Sequence, residues 1–157
     1  MRIAIIALGS RGDVQPYIAL GKGLKAAGHT VRLLTHENFE WLVDSQGLEF
    51  WPLKGNVQEF MDTPKMRELL EKGNFIAISA YAAKAAKGAA IDWAEGGLAA
   101  CQDVDLLVSG VGGLFVGLAL AEKMKVLLLQ AYIFPFTPPR PSQRFCSRRS
   151  SPNWVVM

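Results

Sequence analysis

The stretch that decides the fold is RIAIIALGSRGDVQP, residues 2–16. Its first part, residues 2–8, is a nearly continuous apolar run, which is typical of a parallel strand covered on both faces. Gly9 and Gly12 follow the run, and Pro16 is suited to the first turn of a helix. The pattern predicts a buried strand, a glycine-rich turn and a helix that begins at Pro16.

Short apolar strands and amphipathic helices continue to alternate along the chain. After the strand at 2–8, we predict strands at 30–35, 49–53, 105–109 and 126–130. We predict helices from Pro16 to Gly28, at 37–47 and at 112–124, with two or three more inside the alanine-rich region 57–101. Strands that alternate with helices form parallel sheets through right-handed crossovers. The predicted fold class is therefore α/β, a Rossmann-like doubly wound parallel sheet.

Composition and charge divide the chain into two parts. The 157 residues are 50% hydrophobic and 20% charged, which is typical of one soluble globular domain. The formal net charge of +3 arises in residues 137–157, which hold four arginines and no acid. We predict a folded domain at 1–136 and an irregular basic tail at 137–157. Because the folded part is close to neutral, the charge does not indicate a nucleic-acid partner.

Cysteine content and hydropathy predict the compartment. Cys101 and Cys146 match neither a disulfide framework nor a metal-binding spacing, which favours a reducing compartment. The longest uncharged stretch, residues 106–121, is shorter than the ~20 residues that span a bilayer. We therefore predict a cytoplasmic soluble domain, with peripheral association at a membrane as an alternative.

The turn after the first strand combines features of a ligand site. Gly9 and Gly12 allow unusual backbone angles, and the following helix presents free N–H groups that suit an anion such as a phosphate. Asp13 would repel that anion, which suggests a base that faces a second, neutral ligand. An alternative interpretation is that Asp13 caps the helix and pairs with Arg11 in solvent. The spacing alone leaves both interpretations open.

A nicotinamide-binding domain is a competing interpretation. It requires G-x-G-x-x-G at the first turn, whereas the turn GSRGDV, residues 9–14, lacks the middle glycine. A second pattern, Gly110-Val111-Gly112, follows the fourth strand and lacks the third glycine. Both matches are weak.

Two long segments resemble one enzyme family. GSRGDVQPYIALGKGL, residues 9–24, and DLLVSGVGGLFVGLALAEKMKVLLLQAYIFPFTP, residues 105–138, resemble the N-terminal domain of sterol 3-beta-glucosyltransferase-like proteins. The resemblance covers residues 1–138. It implies the N-terminal half of a GT-B architecture, in which a Rossmann-like acceptor domain faces a C-terminal domain that holds most of the nucleotide sugar.

The resemblance also implies roles for the first turn. Ser10, Arg11, Gly12 and Asp13 match the loop that contributes to nucleotide-sugar binding, and Asp13 matches the proposed general base. The implied reaction is lipid glycosylation with inversion, in which a hexose such as glucose moves from UDP-glucose to the hydroxyl of an apolar acceptor such as a sterol. The family implies no cofactor and no metal beyond the donor substrate. Balancing the charge of the leaving diphosphate would fall to Arg11 and the helix N-terminus.

Three further side chains are candidates for the acceptor pocket. His36 ends the second strand at the predicted ligand edge, although a surface histidine at the start of a helix is the simpler interpretation. Trp41 and Tyr81 are aromatic residues that suit an apolar acceptor. Aromatic residues at such spacings are more often part of the core.

The chain also departs from the family pattern. It stops where the relatives complete their N-terminal half, and PRPSQRFCSRRSSPNWVVM, residues 139–157, replaces an apolar segment. A truncated gene, a shifted reading frame, a designed fragment or a separately encoded subunit would each produce this pattern. We therefore keep two function classes: half of a glycosyltransferase, or a stand-alone lipid-binding module or non-catalytic subunit. We expect the isolated chain not to transfer sugar, and its inter-domain face to bind a donor domain or a second copy.

Overall fold

The computed structural model describes residues 1–134 and 154–156. The five expected strands are present, and their bounds are β1 Arg2–Ile6, β2 Thr30–His36, β3 Glu49–Leu53, β4 Leu106–Ser109 and β5 Leu127–Gln130. A sixth strand, β6 Trp154–Val156, pairs with β5. This strand lies inside the tail that the sequence predicts to be irregular. The remainder of the predicted tail lies outside the described residues.

All six strands belong to one sheet with the order β3-β2-β1-β4-β5-β6. Every neighbouring pair is parallel. The chain starts in the middle with β1, adds β2 and β3 on one side, and then crosses back to add β4 on the other side of β1. This order confirms the predicted doubly wound sheet, and it places the topological switch point between β1 and β4.

The helices follow the predicted pattern with shifted ends. Three helices lie in the long crossover between β3 and β4, within the predicted two or three. The predicted helix at 37–47 is a 3₁₀ turn at Glu37–Phe39 followed by a short helix. The bounds are α1 Arg11–Ala26, α2 Glu40–Asp44, α3 Val57–Met61, α4 Pro64–Glu71, α5 Phe75–Ala100 and α6 Leu114–Met124.

The predicted start of the first helix was wrong. Helix α1 begins at Arg11, because the carbonyl of Ser10 accepts hydrogen bonds from the backbone N–H groups of Asp13 at 3.0 Å and Val14 at 3.1 Å. Pro16 therefore lies inside the helix, where it cannot donate a backbone hydrogen bond. The consequence for the site is that Asp13 stands in the first helical turn and not in a preceding loop.

Helices cover both faces of the sheet. On one face Ile5 and Leu33 pack with Val14 of α1 in a buried cluster. On the other face Ile6 packs with Leu120 of α6 and with the end of α5. Successive strand residues point to opposite faces, so the continuous apolar runs of the sequence supply both cores at once.

Candidate functional site

A small cleft of about 10 Å³ lies at the switch point, where the loops after β1 and β4 meet. The backbone N–H of Gly110 donates to the carbonyl of Ile6 at 3.2 Å. A Cβ on Gly112 would lie only 2.0 Å from the carbonyl oxygen of Leu8, so only glycine allows this approach. Three chain segments line the cleft with Leu8, Asp13, Tyr17, Gly110, Val111, Gly112, Ile133 and Phe134.

Asp13 has one carboxylate oxygen anchored and the other available. Its Oδ2 accepts hydrogen bonds from the backbone N–H and from the hydroxyl of Ser10, both at 2.8 Å. No donor in the described part of the chain bonds to Oδ1. The side chain is half-buried at the cleft. Asp13 therefore stabilises the helix start through Oδ2, and the same contact orients Oδ1.

Gly9 makes this orientation sterically feasible. Its φ of +144° lies in the region that side chains rarely adopt. A Cβ at this position would stand 2.4 Å from Oδ2 of Asp13. Only glycine at position 9 therefore leaves room for the carboxylate of Asp13.

The other predicted donor-site residues lie at the start of α1. Ser10 is the residue that precedes the first helical turn, and Arg11 and Gly12 are the first two residues of that turn. All three are exposed. No acid in the described residues forms an ion pair with Arg11, so the alternative in which Arg11 pairs with Asp13 is not observed. The guanidinium is available to a ligand.

An apolar wall lies in the same cleft, and sequence reasoning did not find it. Ile133 is 43% exposed and Phe134 is 49% exposed. Both residues lie four or fewer positions after β5, at the carboxyl edge of the sheet. The rule that ligands bind at this edge would have pointed to them, because they follow a predicted strand.

Tyr17 joins the two sides of the cleft. It lies one helical turn after Asp13, is buried, and donates a hydrogen bond from its hydroxyl to the carbonyl of Ala131. Burial raises the pKa of Tyr17, and the charge of Asp13 raises it further. The phenol therefore remains protonated and serves as a donor at neutral pH.

The three predicted acceptor residues lie elsewhere. His36 is only 2% exposed, with Nδ1 3.3 Å from the carbonyl oxygen of Leu53 and its ring 6.1 Å from that of Trp93, so the surface interpretation was wrong. Burial lowers the pKa of His36. Trp41 is exposed on α2, and Tyr81 of α5 stacks on a phenylalanine of α3. None of the three lines the cleft that contains Asp13, and their acceptor role stays a prediction.

The described part of the chain contains no group of three or more acidic, histidine or cysteine side chains arranged to hold a metal ion. Within residues 1–134 and 154–156, no helix combines the length and apolar character that crossing a bilayer requires.

Residues 3–140 match the glycosyltransferase family 28 N-terminal domain. The chain belongs to this family. The match includes both loops that form the cleft and the segment after β5. It confirms the family that the sequence resemblance indicated.

Curated relatives refine this family membership. The chain is 36% identical over 141 residues to a sterol 3-beta-glucosyltransferase of Sclerotinia sclerotiorum. The aligned region covers 89% of this chain and 9% of that relative. It is also 36% identical over 143 residues to the sterol 3-beta-glucosyltransferase of Komagataella phaffii, which covers 88% of this chain and 11% of the relative. The family 28 chain thus spans about a tenth of these relatives.

Solved structures support the fold. The glycosyltransferase SsfS6 of Streptomyces sp. SF2575 superposes with a TM-score of 0.66 at 24% identity, covering 85% of this chain and 39% of that one. A second SsfS6 structure, in complex with thymidine diphosphate, gives a TM-score of 0.64 at 23% identity. The calicheamicin glycosyltransferase CalG4 gives 0.60 at 19% identity, covering 84% and 32% of the two chains. The family 28 chain has the Rossmann-like fold of the N-terminal half of GT-B glycosyltransferases.

Proposed function

We propose that this chain is the acceptor-side domain of an inverting glycosyltransferase that glucosylates an apolar alcohol of the sterol class. One observation carries the proposal: the free oxygen of Asp13 shares a cleft with the apolar residues Ile133 and Phe134. A carboxylate beside an apolar wall suits a ligand that is hydrophobic except for one hydroxyl group. The 36% identity to sterol 3-beta-glucosyltransferases supports the sterol class.

In the proposed reaction Asp13 acts as the general base. Its Oδ1 takes the proton of the acceptor hydroxyl while that oxygen attacks the anomeric carbon of UDP-glucose. The bond from the anomeric carbon to the diphosphate breaks on the opposite side, so the configuration inverts. A carboxylate in contact with water is a weak base, and closure of a second domain over the cleft would make it a stronger one by removing that water.

The donor half of the proposed site uses the start of α1. The charge of Arg11 and the N-terminal amides of α1 would stabilise the departing diphosphate. The nucleotide itself would be held by a C-terminal donor domain or a separate donor subunit. Phe115, 83% exposed on α6, marks an apolar surface that such a domain or a second copy of this chain would cover.

The proposal is tested in a joined enzyme, in which residues 1–157 precede the C-terminal half of the Komagataella phaffii relative. We expect Asp13→Asn to lower the turnover of sterol glucosylation by about a hundredfold or more. Asp44→Asn on the exposed end of α2 is the matched control and keeps normal turnover. Near-normal turnover of Asp13→Asn would show that Asp13 serves only as a helix cap. Sterol binding by the isolated chain without turnover of the joined enzyme would favour a binding module.

A further inference from the structure

Tyr17 is the point where the three parts of the cleft meet. Its hydroxyl donates to the carbonyl of Ala131, the last residue before the chain leaves the sheet edge. Its ring fills the space above Gly110, where an added Cβ would stand 2.5 Å from the hydroxyl oxygen. Through α1 the same residue is connected to Asp13, one turn earlier in the helix. The buried side chain of Tyr17 thus contacts both the loop after β4 and the segment after β5. Tyr17 itself belongs to the helix that carries Asp13.

The geometry around Ala131 shows what the hydroxyl of Tyr17 does. The backbone N–H of Ala131 donates to the carbonyl of Ser109 at 3.0 Å, which continues the pairing of β5 with β4 by one residue. The carbonyl of Ala131 instead turns to Tyr17. Ile133 and Phe134 follow immediately, and both line the cleft. The direction in which these two residues leave the sheet is therefore set by a bond to the helix that carries Asp13.

We propose that Tyr17 is a positioning residue, which sets the distance between the carboxylate of Asp13 and the apolar wall of Ile133 and Phe134. In this role it decides how deeply an apolar alcohol enters before its hydroxyl reaches Oδ1. The inference rests on the proposed function for the identity of the ligand, whereas the link between α1 and segment 131–134 stands on the structure itself. Tyr17 does not touch the reacting atoms.

Kinetics of the joined enzyme test the effect on the acceptor. We expect Tyr17→Phe to raise the KM for the sterol about fivefold, because a change of this size corresponds to the loss of one neutral hydrogen bond. The KM for UDP-glucose should stay unchanged. The control is Ser45→Ala, which removes a hydroxyl that donates to the carbonyl of Leu42 at 2.9 Å, away from the cleft. An unchanged sterol KM, equal losses in both variants, or an equal rise in the KM for UDP-glucose would overturn the proposal.

Hydrogen exchange of the full 157-residue chain tests the link without any ligand. We expect the backbone amides of residues 131–134 to exchange faster in Tyr17→Phe than in the wild type, while those of β1 and β4 keep their protection. Ser45→Ala should leave the exchange of segment 131–134 unchanged. If the joined wild-type enzyme transfers no sugar, the proposed function fails, and the exchange result alone decides whether Tyr17 positions the wall. Unchanged exchange in Tyr17→Phe would overturn the proposal.

Discussion

The guanidinium of Arg32 and the carboxylate of Asp103 lie 3.1 Å apart at the amino edge of the sheet, opposite the Asp13 cleft. Arg32 extends from β2 and also bonds to Glu49 of β3 at 3.0 Å and to the carbonyl of Ala100. It therefore ties the end of α5 back to the sheet, after a crossover that is the longest between described strands. Arg2 adds a second contact to Asp103 at 2.5 Å.

This cluster predicts a stability loss for Arg32→Met. The side chain of Arg32 is only 22% exposed, and the variant leaves the partly buried carbonyl of Ala100 without its charged donor, whereas Glu49 and Asp103 are exposed enough to bond to water. We expect the free energy of unfolding, measured in urea, to fall by about 1.5–3 kcal/mol. The control is Lys72→Met, which breaks an exposed pair with Glu68 on α4 and should lower the free energy of unfolding much less. Equal losses in the two variants would show that the cluster contributes no more than a surface ion pair.

Alanine substitutions at Gly9 and Gly23 should change the free energy of unfolding in opposite directions. Gly9→Ala forces a side chain into positive φ and against Oδ2 of Asp13, so we expect a loss of about 1–3 kcal/mol in the free energy of unfolding. Gly23 lies in α1 with open space around its Cβ position, and Gly23→Ala should stabilise the chain by about 0.5–1 kcal/mol. Urea unfolding of the two variants measures both signs. A neutral Gly9→Ala would mean that the loop relaxes without disturbing Asp13.

His36 predicts a loss of stability in mild acid. Because burial lowers its pKa below the ordinary value of 6.5, the unfolded chain takes up a proton on this residue more readily than the folded chain. The stability contribution is therefore complete above pH 6.5 and is lost as the pH falls through the lower folded pKa. We expect the urea midpoint to drop between pH 7 and pH 5.

A variant assigns this pH dependence to one residue. His36→Gln should be less stable at pH 7 but should lose less stability than the wild type between pH 7 and pH 5. His29 directly precedes β2 and is partly exposed, so His29→Gln is the control variant. If His36→Gln retains the full pH dependence, the acid loss belongs to other groups.

Local pattern was sufficient for the strands and for the edge of the sheet at which their carboxyl ends meet. The apolar run at residues 3–8 has no polar break, which favours a strand covered on both faces, and β1 lies at the centre of the sheet. Parallel pairing then brings the strand ends to one edge, and the residues from Ser10 to Asp13 lie there. The helix start was missed because a proline suits a first turn, and the cap formed by Ser10 and Asp13 acts five residues earlier.

The sequence by itself determined the parallel α/β fold, the family and the loop that carries Asp13, because these depend on apolar periodicity and on a contiguous motif. Only the tertiary structure decided which residues face that carboxylate. The ring of His36 lies beside that of Trp93, which is 57 residues away in sequence, and Ile133 and Phe134 line the same cleft as Asp13 although more than a hundred residues separate them from it. Such long-range neighbours arise from the crossover that returns the chain past β1, and they cannot be predicted from the local spacing of residues.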